Sequence, residues 1–271
     1  MTNPLLLQEN LPKFKSITAT DIEPGVTEVL DTLDAELQAL EATLDGASSY
    51  EATIEALERI SAPLGFAWGV VGHLNGVKNS DELRDAYAAM QPKVVGATQK
   101  LGQSRKIYDA LEGIAARNEV DGERRRIVDA SLRSMRLGGV ALEGEAKAQY
   151  NANEVKLSEL ATAFSNNVLD ATKAFELVLT DVADVEGLPP SAKAAAAEKA
   201  VSLKKCDAAD ADNGPWALGL DAPSYIPAMQ HLKSSALREQ LYAAFVTRAG
   251  EQNAPLIDEI LALKQEQAKM L

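Results

Sequence analysis

Histidine and cysteine are the scarcest chemistry-bearing residues of this 271-residue chain, which holds two His, His73 and His231, and one Cys, Cys206. A catalytic zinc site takes three protein ligands, commonly His, and a structural one takes four from His and Cys. The two His lie 158 positions apart and Cys206 has no second Cys. An internal disulfide is therefore impossible, and a self-contained His/Cys zinc site has too few ligands. Basic charge is also short, with 27 Lys plus Arg against 40 acids. Residues 1–60 carry −9 of the −13 formal charge. A surface this acidic repels phosphate, which excludes nucleic acid and anionic membranes as partners. No long apolar run exists either. The longest, Ala62 to Gly72, is about half of the ~20 residues a membrane-spanning helix needs.

Targeting signals are missing as well. Leu5-Leu6-Leu7 is interrupted at once by Gln8, Glu9 and Asn10, and the first Arg is Arg59. Neither a secretory h-region nor an Arg-rich transit peptide fits that start. With a lone Cys, the expected compartment is the cytosol, a mature organellar form remaining open.

What is present is helical periodicity. The length suits one large domain or two small ones. Val26, Leu30, Leu33, Leu37, Leu40 and Leu44 recur at steps of three and four, predicting a helix that starts near Pro24 and ends at Gly46. Ser48 with Glu51 reads as the capping box of a second helix that bends at Pro63, and Asn79 with Glu82 as the cap of a third. The third is expected to kink or restart at Pro92 and continue through Leu101, Tyr108, Leu111 and Ile114. A fourth follows the turn 118–122 and stops near Gly138-Gly139. Between Gly144 and Leu179 there is neither Pro nor Gly. Val155, Leu160, Phe164, Val168, Ala171, Phe175 and Leu179 make this the longest predicted helix. An Ala-rich helix from Ser191 follows. Helices over Ser224–Leu232, Ser234–Ala249 and Pro255–Leu271 close the chain.

The fold class is mainly α: a multi-helix lobe with long antiparallel helices and one short β-strand near 215–221, at Trp216-Ala217-Leu218-Gly219-Leu220. A lone strand leaves its backbone groups unpaired, so it needs a partner outside the chain or a poorly marked one within it. The expected organisation is a long-helix bundle over 1–180 and a second part over 190–271. The last helix keeps its period to Leu271 with no Gly or Asn stop, which reads as a fold continuing beyond the chain end.

Motifs for chemistry are few. There is no His-Glu-x-x-His, no Gly-rich phosphate cradle and no Gly-x-Ser-x-Gly elbow. His73 and His231 both lie near helix ends, where a structural or capping role suits the C-terminal dipole. Glu154 with Glu159 and Glu36 with Glu41 read as surface carboxylates. Cys206, beside Lys204 and Lys205, reads as inert. Two segments carry more polar detail than a plain helix needs. Ser165-Asn166-Asn167-Val168-Leu169-Asp170-Ala171-Thr172 forms either a buried hydrogen-bonding seam or part of a wet cleft. Asp221-Ala222-Pro223-Ser224-Tyr225-Ile226-Pro227-Ala228-Met229-Gln230-His231 reads as a strand exit into a capped short helix.

These segments, with His73-Leu74-Asn75-Gly76-Val77-Lys78-Asn79-Ser80-Asp81-Glu82-Leu83-Arg84 and Ala236-Leu237-Arg238-Glu239-Gln240-Leu241-Tyr242, resemble the oligopeptidase A branch of the thimet oligopeptidase family of zinc metallopeptidases. Gly214-Pro215-Trp216 and Met229-Gln230-His231 look more like its plant and algal version. The resemblance implies the N-terminal helical region of a two-lobed enzyme that cleaves short peptides in a channel. The zinc of such enzymes is held by a His-Glu-x-x-His helix in their C-terminal half, and in that family it activates a water. No position here matches that motif, so the resemblance assigns no catalytic and no metal residue, and the substrate-binding residues stay unassigned. It implies zinc in the intact family and none bound by this chain alone. The implied partners are short peptides and a C-terminal catalytic half. A stand-alone, non-catalytic helical peptide-binding or regulatory protein is the alternative.

Overall fold

A computed structural model gives the fold and describes residues 3–7, 11–117 and 120–271. The chain divides into two compact units, one of residues 1–159 with 262–271 and one of residues 160–261.

Unit 1 is helical. Its first long helix, α1 (Ala19–Thr43), begins earlier than the apolar pattern alone predicts. The backbone N–H of Thr18 donates to Asp21 Oδ2 at 2.8 Å, which fixes the start. Pro24 therefore sits inside α1 and forgoes one hydrogen bond to Thr20. Val26, Leu33 and Leu37 are buried as the periodicity requires, whereas Leu30 and Leu40 pack at the edge of the core. A π-helical turn, Glu51–Glu55, leads into α2 (Ala56–Val77). The cap falls one residue later than the sequence pattern places it. Ser49 Oγ accepts from the Ala52 N–H at 3.2 Å, and Ser48 Oγ closes the preceding turn by accepting from the Asp45 N–H.

The same shift occurs at α3 (Asp81–Gly102), whose cap is Ser80 rather than Asn79. Asn79 adopts a left-handed φ of 49°, and its side chain turns back to the Asn75 carbonyl. Pro63 and Pro92 lie within unbroken α2 and α3. The expected continuation of α3 is a separate helix, α4 (Arg105–Arg117), started by Ser104 Oγ, which accepts from Ile107 N–H. The predicted turn at 118–122 lies partly outside the described residues. α5 (Gly122–Leu137) ends at Gly138, and Gly139 follows at φ 80°. α1 packs on α2 and α3, and α4 on α5. Their shared core includes Ile22, Val71, Met90, Ile107, Leu111 and Val128.

α6 (Gly144–Ala174) has 31 residues, a length of about 46 Å. It stops five residues short of the predicted end. Leu177–Leu179, which also fits a helical period, forms strand β1 instead. β1 pairs antiparallel with β2 (Trp216–Leu218), Leu177 opposite Leu218 and Leu179 opposite Trp216. The predicted strand thus has its partner inside the chain. The need for an outside partner falls away, because β1 supplies the backbone groups that β2 lacks.

This two-stranded sheet lies in unit 2 with α7 (Pro190–Ser202), which connects its strands, α8 (Ala222–His231), α9 (Ser235–Val246) and most of α10 (Gly250–Met270). Trp216 is fully buried and donates its Nε1–H to the Ala211 carbonyl at 3.1 Å. α7 lies against β2, and its small residues Ala196, Ala197 and Ala200 are all buried. Tyr225 of α8 stacks on Phe245 of α9 at 4.1 Å between centroids.

Two alanine substitutions in unit 1 are expected to act in opposite directions. A Cβ on Gly113 would collide with the Gly46 carbonyl oxygen, whereas one on Gly69, inside α2, meets nothing within 4 Å. Gly113→Ala is expected to destabilise the chain by about 1–3 kcal/mol. Gly69→Ala should stabilise it by about 0.5–1 kcal/mol. Urea denaturation midpoints of the two variants check the signs.

Candidate functional site

The sequence-marked residues scatter. His73 is exposed one turn before the end of α2, its ring tilted against Phe14 at 5.1 Å. His231 is the exposed last residue of α8. Cys206 is free and half-buried. Glu36 and Glu159 are exposed, and their pattern partners Glu41 and Glu154 serve elsewhere, as described below. Among the described residues, no group of three or more His, Cys, Asp and Glu is placed to hold a metal ion. The donor set present does not fit the zinc that the resemblance implies.

The polar stripe of α6 resolves into a hydrogen-bonding seam within unit 2. Asn167 Nδ2 donates to Asn253 Oδ1 at 2.9 Å, and Asn253 Nδ2 donates to the Phe164 carbonyl at 3.2 Å. Arg248 Nη1 donates to Thr172 Oγ1 at 3.3 Å. Asn253 is 3% exposed, so each amide satisfies a group that burial would otherwise leave costly. The second marked segment is the expected capped helix. Ser224 N–H donates to Asp221 Oδ1 at 3.1 Å, and Lys199 Nζ pairs with Asp221 Oδ2 at 2.6 Å.

The first half of α6 carries a second seam, in unit 1, that sequence reading missed. Three glutamines of α3 and the turn after it donate to α6 and its approach. Gln91 reaches the Ser158 carbonyl, Gln99 the Asn151 carbonyl, and Gln103 both the Gly138 carbonyl and Asn151 Oδ1, all within 3.0 Å. Gln267 of α10 adds a 2.6 Å hydrogen bond to Glu154 Oε1. Positions 99 and 103 are four apart and so lie one above the other, with position 91 about 80° from 99 around the same side of α3. Glutamine on a face that also carries buried Val94 was the available signal.

Two concavities flank Gln99 and Gln103. One, of about 410 Å³, is walled by Trp68, Val95, Met135 and Tyr150, with Glu154 at its edge. The other is a groove of about 750 Å³ between α1, α3 and the starts of α4 and α6. Asp34 and Glu41 line its α1 wall, and Lys100, Arg105, Lys106 and Lys147 line the rest. Lys100 Nζ pairs with Asp34 Oδ1 at 2.5 Å. That hydrogen bond holds the Asp34 carboxyl below its usual range. Ser104 Oγ donates to Glu41 Oε1. No acid occurs between Asp85 and Asp109, a stretch holding Lys93, Lys100, Arg105 and Lys106. In a chain of net charge −13 that gap is the signal of this wall.

The architecture is that of a helical protein with concave, amide- and cation-lined faces and no gathered metal ligands among the described residues. No helix among those residues is long and apolar enough to cross a membrane. Comparison with known proteins makes the class specific. Residues 26–147 match the family model described as neurolysin/thimet oligopeptidase, N-terminal domain. The whole chain is 43% identical to a probable cytosolic oligopeptidase A of Arabidopsis thaliana, covering 39% of that protein. It is 42% identical to an organellar, chloroplastic/mitochondrial oligopeptidase A of the same plant, covering 34% of it. To the oligopeptidase A of Salmonella typhimurium it is 36% identical, again over the whole chain and 40% of the relative. The chain is thus similar, along its whole length, to the first two fifths or so of oligopeptidases, and residues 26–147 match the N-terminal domain of the neurolysin/thimet oligopeptidase family.

Asn253→Ala strands the Asn167 amide and is expected to cost about 1–3 kcal/mol, read as a lowered urea midpoint. The Asp34–Lys100 pair sets a pH dependence of known sign. Its stabilisation is complete above the ordinary carboxylate value of 3.8 and is lost as pH falls through the lower folded-state value. The pair is largely exposed, at 64% and 40%, so Asp34→Asn should remove about 0.2–1 kcal/mol at neutral pH. The acid-unfolding slope below pH 4 should flatten in that variant, as measured by circular dichroism.

Proposed function

We propose that this chain forms the non-catalytic, peptide-handling part of a zinc oligopeptidase that hydrolyses short peptides. The carrying observation is similarity to oligopeptidases along the whole chain, in a sequence with no His-Glu-x-x-His. In this reading the zinc and its general base belong to sequence outside these 271 residues, and the partners are short peptides and that catalytic part. Nucleic acid and membranes are not partners, a reading supported by the acidic charge. The chain's helices contribute walls that admit flexible peptides and turn folded proteins away. The assigned compartment is the cytosol, supported by the single Cys206 and by the cytosolic relative. The organellar relative makes a mature organellar form the alternative.

The test is a quenched fluorogenic peptide incubated with the purified chain and added zinc. No turnover is expected, because the sequence has no His-Glu-x-x-His and the described residues gather no metal site. Chelator-sensitive cleavage that tracks the chain through purification would overturn the proposal.

A further inference from the structure

The groove between α1 and α3 carries positive charge that its own acids do not neutralise. Of its four cations, Lys100 is engaged by Asp34, and Arg105 Nε by Asp109 at 2.9 Å, one turn along α4. Lys106 and Lys147 have no carboxylate partner among the described residues. They belong to different helices and wall the same cavity. Glu41, the remaining acid in that wall, accepts from Ser104 at the start of α4. Beside the lysines stand Gln99 and Gln103, which donate their amide N–H groups to α6 and its approach. Among the described residues nothing donates to their carbonyl oxygens, which leaves acceptors for a ligand's N–H groups. Cations beside amide acceptors suit a ligand with carboxylates spaced along a donor-bearing backbone. We propose that this groove binds an acidic segment of a short peptide, its carboxylates received by Lys106 and Lys147.

The overall negative charge does not forbid this. At physiological ionic strength charges beyond about 8 Å are screened, so the groove's own cations decide. The inference rests on the peptide-handling reading and adds to it a preference for acidic peptides. The volume, about 750 Å³, accommodates a few residues rather than a folded partner.

The test uses the full chain and a fluorescein-labelled peptide of about six residues with alternating Glu and Ala, its Gln-for-Glu counterpart, and inorganic phosphate. Fluorescence polarisation should show the Glu peptide binding about tenfold more tightly than the Gln peptide. K106Q/K147Q should weaken the Glu peptide by about tenfold, K106R/K147R should retain it, and K264Q should change nothing. Carbodiimide coupling of the Glu peptide to the unaltered chain, read by mass spectrometry, should place the new amide on Lys106 or Lys147, independently of how any variant folds. Coupling confined to other lysines, or unchanged affinity in K106Q/K147Q, overturns the inference. Phosphate displacing the peptide at equal concentration does so too, reducing the groove to a simple anion site. Equal binding of both peptides overturns the acidic preference and leaves the peptide-handling reading standing. Binding of neither overturns both.

Discussion

A glutamine side chain taken out of water must find hydrogen-bond partners or lose free energy comparable to a broken hydrogen bond. In unit 1 that requirement governs how α6 is held. Gln91 and Gln103 are 7% and 6% exposed, and each finds its acceptor on α6 or on the turn leading to it. Hydrophobic contact is indifferent to small slips along a helix axis, whereas an amide aimed at one carbonyl is not. The seam therefore fixes the axial register of α6, and with it the position of Lys147 and Asn151 opposite α3. Leu160 is the buried apolar residue this helix offers from its predicted stripe. Val155, Phe164, Val168 and Ala171 are only half-buried.

Charge is distributed to the same end. α1 brings acids to one wall of the groove, and the acid-free stretch from α3 into α4 brings cations to the other. One pair forms across it, Lys100 with Asp34, Arg105 is held by Asp109 on its own helix, and Lys106 and Lys147 have no carboxylate partner among the described residues. A surface ion pair of this kind is worth little in stability. Its effect here is local, since it takes Asp34 out of competition for the remaining lysines. The match to a neurolysin/thimet oligopeptidase N-terminal domain gives such a wall a context, because relatives over this region are named as oligopeptidases.

The helical class and the buried face of α1 were legible because apolar residues recur over many turns, and a long pattern averages out local exceptions. Short features were less legible, for identifiable reasons. The capping-box pattern marks Ser48 and Asn79, whereas the backbone places the caps one residue later, at Ser49 and Ser80. Leu177–Leu179 continues the α6 period as well as it fits a strand, and pairing with Trp216–Leu218 decides the matter. The acid-free stretch between Asp85 and Asp109 marks one side of the cation groove, but its completion was invisible along the chain because Lys147 joins Lys106 from forty-one positions away. Spacing rules see neighbours on one helix; they do not see two helices meeting.

Unit 1 is discontinuous, and this has a consequence for how the chain acquires its structure. Residues 262–271 belong with residues 1–159, and among them Gln267 supplies the donor to Glu154 and to the Tyr150 carbonyl. During synthesis the whole of 160–261 must emerge before that donor exists. Until then the α6 face around Tyr150, Asn153 and Glu154 waits open while unit 2 has all the residues it needs. Synthesis order and closure order are thus inverted, with the unit begun first being the one finished last.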